Sequence, residues 1–282
     1  LEPLMDFADV AGYFDDDPVY DGYTGELLFY CHTTPHDDQT SSGATARRRT
    51  MTTENETTPP ARGVVKVYES RWLVSDSNPD AFQGELVRRS YSLKKSTGLM
   101  DLLTPGQAAK SGAGLPFYAH KEYFRDQANA RTESDWDVMW NVFAAMAEPI
   151  VKGSFFRQDG VLFRVRNCYP SVDLFRISEA DQLDDDALQA ATFTTAGVLN
   201  LRTDTLDNFS QAVTVIQTDT QKFYHFRTLG ENTQQPGDRT VFVAKEDLTP
   251  KVGGELTMLS ARWRIVAVVP ELDSWACQVR LA

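Results

Sequence analysis

Apolar and polar residues alternate along most of this chain. Val64 to Ser75 (VVKVYESRWLVS) and Glu85 to Lys95 (ELVRRSYSLKK) carry the period of two that puts every second side chain on one face of a strand. The pattern returns in PFYAHKEYFRD and DWDVMWNVF, and in two or three strands between Gly153 and Ile177. It returns again in VLNLRTDTL, AVTVIQTD, KFYHFRTL, RTVFVAKE, ELTMLSARWRIVAVV and WACQVRL, with turn signals such as QQPGD and VGG between several of them. GELLFYCHTT reads as an earlier strand. Helical spacing is confined to two places. Leu4, Phe7, Val10 and Phe14 predict a short amphipathic helix over Pro3–Phe14, and SEADQLDDDALQAA, with Ser178 as N-cap and acids in the first turns, predicts a linking helix. GLMDLLTPGQAAKSGAG interrupts the β pattern and predicts one helical turn before a Gly-rich loop. Pro35 to Arg62 has almost no apolar residues, too few to offset the entropy of ordering, and predicts a long loop or arm.

The expected fold class is mainly β: two tandem small β-barrel or sandwich domains with a short N-terminal helix and a short linking helix. The corresponding boundaries are 1–61 for the N-terminal helix, strand and polar arm, 62–177 for the first barrel-like domain, 178–194 for the linking helix and 195–282 for the second barrel-like domain.

A repeat supports two copies. FRVRNCYPSVDLF (Phe163 to Phe175) and WRIVAVVPELDSW (Trp263 to Trp275) share one frame, in which Arg164/Arg264, Pro170/Pro270 and Asp173/Asp273 are identical. Gly153 matches Gly253 upstream. A single-residue shift then aligns DVMWNVFAAMAEP with DRTVFVAKEDLTP, placing Asp137 on Asp238, Val142 on Val243 and Pro149 on Pro250. Each residue of the frame has a scaffold job: Pro and Asp turn the chain, and the aromatics pack across the returning strands.

Composition changes the picture in two respects. Of 282 residues, 41% are hydrophobic and 11% aromatic, enough for substantial cores. A formal charge of −12 argues against a nucleic-acid binder, whose surface is normally basic. Cys31, Cys168 and Cys277 are too sparse for a disulfide framework and read as buried thiols. No apolar run approaches the roughly 20 residues that cross a bilayer. The opening LEPLMDFADV lacks the plan of a signal peptide, so the expectation is a soluble protein from a reducing compartment.

Candidate chemistry is thin. G-x-S-x-G, P-loop, H-E-x-x-H and G-x-G-x-x-G motifs are absent from the sequence. CHTTPHDD gathers Cys31, His32, His36 and Asp37, but Pro35 forbids the helix that would align the two histidines. His120 and His225 sit in aromatic strands and read as barrel-wall or interface residues. Asp15–Asp17 and Asp184–Asp186 read as solvated acidic runs without calcium-loop spacing. Arg47–Arg49 is a basic cluster in the polar arm, a contact for an acidic neighbour or DNA or else a solvated loop. No catalytic, cofactor-binding or metal-binding residue is assigned, no cofactor is expected, and the balance favours a non-enzymatic structural or binding role.

One resemblance gives that role a context. SDWDVMWNVF…EPIVKGSFFRQDGVLFRVRNCYPSVDLFRI (Ser134 to Ile177) is similar to the C-terminal half of phage head-completion proteins of the stopper type. In both, a strand with Ser or Thr and an aromatic leads to a hydrophobic strand, a P-x-x-K/R step, a G…Y/F-R-V/I hairpin and a final strand. DRTVFVAKEDLTPKVGGELTMLSARWRIVAVVPELDSWACQVRL resembles the same half and related tail-completion proteins. The chain departs from that family in being more than twice the usual length and in carrying two copies. The resemblance implies a small β-barrel that forms a homo-oligomeric ring below the portal, at the head–tail junction of the virion. There it would bind portal or adaptor and tail proteins, with no membrane, and double-stranded DNA would pass non-specifically through an acidic channel. It points to the Leu99–Gly114 loop and the Pro35–Arg62 arm as contact elements. Competing expectations are another tail, baseplate or capsid-decorating protein, a glycan-binding module using Trp136, Trp140 or Trp263, and a metal hydrolase at CHTTPH.

Overall fold

A computed structural model of the chain describes residues 17–35, 48–54, 57–82, 85–125, 138–183, 187–195, 198–200, 205–207, 209–219 and 237–282. The first barrel holds β1 (Asp17–Asp21), β2 (Leu27–Pro35), β3 (Arg48–Glu54), β4 (Val64–Val67), β5 (Ser70–Phe82) and β6 (Glu85–Lys95). The second holds β7 (Gly98–Leu103), β8 (Leu115–Arg125), β9 (Val138–Ala144), β10 (Phe155–Gln158), β11 (Val161–Pro170) and β12 (Arg176–Gln182), with a short helix α1 (Pro105–Ala109) between β7 and β8. The third holds β13 (Leu188–Thr194), β16 (Ser210–Asp219), β17 (Arg239–Ala244), β18 (Glu255–Met258), β19 (Ala261–Pro270) and β20 (Ser274–Leu281). A separate hairpin, β14 (Val198–Asn200) and β15 (Thr205–Asp207), lies between β13 and β16.

Each barrel is closed and antiparallel, and all three share one connection order. The first three strands run in sequence, the sixth follows the third, and the fifth and fourth return to the first. Closure leaves no free sheet edge, which is how short strands rich in Val, Phe and Thr avoid pairing with other chains. The period-two residues fill the interiors: Val65, Val67, Trp72, Val74, Met51 and Leu93 in the first barrel, Phe117, Val142, Phe156, Phe163 and Val165 in the second, Val215, Val241, Leu256, Trp263 and Ile265 in the third. A one-residue slip in any strand would turn this set outward.

The mainly β class is what the structure shows, but the repeat has three members. In the hairpins β4–β5, β10–β11 and β18–β19, Trp72 faces Val65, Phe163 faces Phe156 and Trp263 faces Leu256. A β-bulge follows two residues later in each barrel, after Val74, Val165 and Ile265. Pro79, Pro170 and Pro270 then pair with Arg89, Arg176 and Trp275. WLVSDSNP, FRVRNCYP and WRIVAVVP are therefore three copies of one frame. The first is hard to recognise in the sequence because it lacks the arginine, and because β5 runs on past Pro79 where the others turn at Pro-x-x-Asp.

Four expectations need correction. The linking helix over 178–194 is not formed: its sequence is divided between β12 and β13, and Ser178 and Ala180 point into the second barrel with no exposure. Burial of that alternating face outweighs the capping signal and the helix-forming acids. The domain boundaries move accordingly, since 62–177 joins the second half of one barrel to nearly all of the next. The upstream alignment shifts as well. Val142 pairs with Ser178 and Val241 pairs with Cys277, so Val142 corresponds to Val241 rather than Val243. The extra residue belongs to the loop after the strand. Within the polar arm, Arg48–Glu54 forms β3, with Met51 and Thr53 inward. The helix expected over Pro3–Phe14 and the rest of the arm's centre lie outside the described residues.

Candidate functional site

The barrels meet at two junctions, and these junctions hold the densest chemistry of the described chain. Consecutive apolar residues mark them in sequence. In Val64-Val65 and Phe155-Phe156, one residue fills its own barrel and its neighbour faces out to be covered by the next barrel.

At the first junction Val64 and Leu73, cross-strand partners on the outside of β4–β5, are buried with Phe175, and Tyr23, Tyr118 and Phe143 pack around them. Charged groups rim this patch. Arg62 Nη2 donates to Glu148 Oε1 at 2.9 Å and to the Pro116 carbonyl at 2.6 Å, and its guanidinium lies 4.0 Å from the Tyr23 ring. Tyr23 Oη donates to Glu148, and burial pushes its phenol up to about 12. On the opposite rim Lys94 reaches Glu122 at 3.1 Å while lying 3.7 Å from the Phe143 ring. His120 bridges here too, with Nδ1 2.7 Å from the Lys95 carbonyl and Nε2 2.7 Å from Glu122. The His120 hydrogen bond, aided by Lys94, holds the Glu122 carboxyl down to about 2. Burial lowers the Lys94 ammonium, opposed by that same carboxylate.

The second junction is more apolar. Phe155, Leu162 and Leu183 of the second barrel pack against Ile216, Phe242 and Ala276 of the third. Each of the Phe, Leu and Ile side chains, once fully covered, contributes on the order of 1.5–3 kcal/mol. Arg164 occupies the position that Leu73 holds in the first barrel, since it pairs with Phe155 as Leu73 pairs with Val64. It is wholly buried, its Nη2 lies 2.5 Å from Glu271 Oε1, and its guanidinium stacks 4.1 Å from the centre of the Phe242 ring. Burial pushes the guanidinium below its usual range, and the Glu271 charge opposes that shift. Gly153, at φ +87°, lets the chain pass Glu271: a Cβ there would come within 3.2 Å of Oε2.

The Leu99–Gly114 segment is a clasp within the chain. Its first part is β7. The Thr104–Gln107 capping box then starts α1, with Pro105 in the first turn. α1 presses Gly106 onto Glu246 so closely that a Cβ would fall 1.8 Å from Oε1, and Lys110 reaches Asp247 at 2.8 Å. Within the chain, this segment contacts the third barrel. A groove of about 240 Å³ of mixed polarity remains beside it, lined by Leu115, Val151 and Leu272 together with Gln107, Ser154 and Asp273.

The remaining sequence candidates are dispersed. Arg48 pairs with Asp173 at 3.3 Å, and Arg49 donates to Thr33 and lies over Tyr68 and Trp72, so both serve contacts within the chain. Arg47, His36, His225, Trp136 and Asp184–Asp186 lie outside the described residues. His32 sits on β2, whereas His120 belongs to the first junction. Among the described residues no cluster of three metal-ligating side chains occurs. Cys31 and Cys277 are buried and Cys168 is partly exposed, and none of the three is in a disulfide. Trp263 is 7% exposed inside the third barrel with Arg239 5.0 Å over its ring, which leaves no face for a sugar to stack on. Trp140, half-buried, is covered by Lys121 at 4.5 Å. No described helix is long and apolar enough to cross a membrane. Comparison of the chain with protein families, with curated proteins and with solved structures finds no match.

Proposed function

We propose that this protein is a structural component of a tailed-phage virion, a head-to-tail connector of the head-closure or adaptor kind that joins the portal to the tail and helps retain packaged DNA. One observation carries the reading: the stopper-like frame falls on the same strand pair, β11–β12 and β19–β20, of two closed six-stranded barrels. A small barrel is the fold that the resemblance implies. The junctions add mechanical support. Barrels that bury one another's faces and clasp one another by α1 and Arg62 form a stiff strut, suited to holding two larger bodies at a set spacing. The outer walls of such struts would associate into a ring. A charge of −12 would let DNA slide through that ring without adhering, because it repels the phosphate backbone.

Electron microscopy of the purified protein, alone and mixed with portal and tail preparations, tests this proposal. Rings, or density added to the portal, are the expected result. A strictly monomeric protein that ignores both preparations would overturn it.

A further inference from the structure

The two junctions use the same positions of the repeat, so the third barrel's leading face and the first barrel's trailing face can be compared with them residue by residue. On the leading face, the cross-strand pair Val64 and Leu73 becomes Phe155 and Arg164 in the second barrel, both buried. In the third barrel the same pair is Glu255 and Arg264, and Arg264 is exposed. The adjoining position, Leu162 in the second barrel, is Arg262 in the third, which pairs with Glu255 at 3.7 Å in water.

The trailing face shows the same break at the other end. His120, Phe143 and Ile177 of the second barrel align by register with Ile216, Phe242 and Ala276 of the third. The first barrel places His32, Thr52 and Ser90 there. Both rings that cover an incoming barrel are therefore replaced by a hydroxyl at the outer end.

The connection from first to second strand tells the same story. In the first barrel it carries Tyr23 into the next barrel's Glu148, and in the second it carries α1 onto Glu246 and Asp247. In the third barrel it folds back and pairs with itself as β14–β15.

We infer that both outer faces of the stack are closed to barrel-on-barrel packing, so that copies of this chain do not join end to end. Bringing the third barrel's leading face onto another copy's trailing face would desolvate Arg264 and Glu255 against Thr52 and Ser90. Thr52 stands at the position from which Phe242 gives Arg164 its ring, so Arg264 would find no aromatic face there, and desolvating a charge without matched partners is strongly unfavourable. The inference rests on the repeat and stands or falls independently of the connector reading, whose ring would form through the barrel walls.

The test rebuilds the first junction between copies. Glu255→Val with Arg264→Leu copies Val64 and Leu73 onto the third barrel, where Arg262 already matches Arg71. Thr52→Phe with Ser90→Ile copies Phe143 and Ile177 onto the first barrel, where His32 already matches His120. Sedimentation velocity is measured as concentration rises tenfold, with circular dichroism confirming the fold. Either pair alone should leave the mass of the unsubstituted protein unchanged. Mixing the two variants should double it, and the fourfold variant should form chains of growing mass. A folded fourfold variant with unchanged mass would overturn the inference. So would crosslinks between the outer faces of different unsubstituted copies, a measurement that decides the matter even if a substituted protein fails to fold.

Discussion

The Arg164–Glu271 pair offers the sharpest test of how the second junction is held. The guanidinium has no exposure, the carboxylate side chain is 11% exposed, and the two approach to 2.5 Å. Removing either partner strands a charge in the interior, which costs about 3–5 kcal/mol. Replacing both with groups that suit an apolar surface removes the desolvation cost together with the attraction, and is about neutral. The first junction shows which groups those are: Leu73 stands at the position of Arg164, and Ser171 at that of Glu271 in the shared frame. Arg164→Leu and Glu271→Ser should therefore each destabilise the junction by about 3–5 kcal/mol, while the double variant lies within about 1 kcal/mol of the unsubstituted protein.

Hydrogen exchange read by mass spectrometry over β10 and β17 is the suitable assay. It reports local opening free energy, whereas three linked barrels do not promise a single unfolding transition. Costs that simply add in the double variant would refute this account of the junction. Single variants that cost under about 0.5 kcal/mol would refute it equally, because the pair would then be exposed enough for water to do the work.

Other consequences are open to direct measurement. Glu122 is held down to about 2 from 4.5, chiefly by its hydrogen bond to His120. A depressed carboxyl contributes its stability above its unfolded value and loses it as pH falls through the folded one. The thermal midpoint should thus fall between pH 4.5 and 2, and Glu122→Gln should flatten that decline; an equally steep decline in the variant would contradict the assignment. At the tip of β18–β19, Leu259 and Ser260 hold φ of 51° and 60°, whereas the corresponding turn of the second barrel is Asp159-Gly160. Leu259→Asn with Ser260→Gly should raise stability by about 1–2 kcal/mol, seen as a higher thermal midpoint. Burial pushes the Cys277 thiol up to about 12. A thiol reagent should therefore modify the partly exposed Cys168 in the folded protein and reach Cys277 only on unfolding, and equal rates at the two would refute this.

Much of the barrel architecture is legible in the sequence because alternation is a local property. ELVRRSYSLKK declares β6 to the residue, and the Phe163 and Trp263 frames declare their hairpins. The first barrel was hidden by its third strand. RRTMTTE offers Met51 as its only large apolar residue, and closure with β2 and β6, more than hydropathy, keeps it in place. The Ser178 segment misleads for the opposite reason. Its capping residue and acids carry a real helical preference, but Ser178 and Ala180 are small enough to line a crowded barrel interior, and tertiary burial decides.

The junctions lie a step further from the sequence, as one position shows. Leu73, Arg164 and Arg264 occupy the same place on the same strand, each between the inward aromatic and the residue that precedes the bulge. The first is buried as a hydrocarbon, the second as a matched charge, the third stands in water. Two of the three are arginines, and nothing local separates them: both follow an inward aromatic and precede an inward β-branched residue. What separates them is whether another barrel arrives with a carboxylate and a ring. Arg164 meets Glu271 and Phe242; Arg264 meets neither among the described residues. Reading such a residue requires the order of the barrels in the stack, and that order follows from the third copy of the frame, WLVSDSNP, which only strand register makes visible.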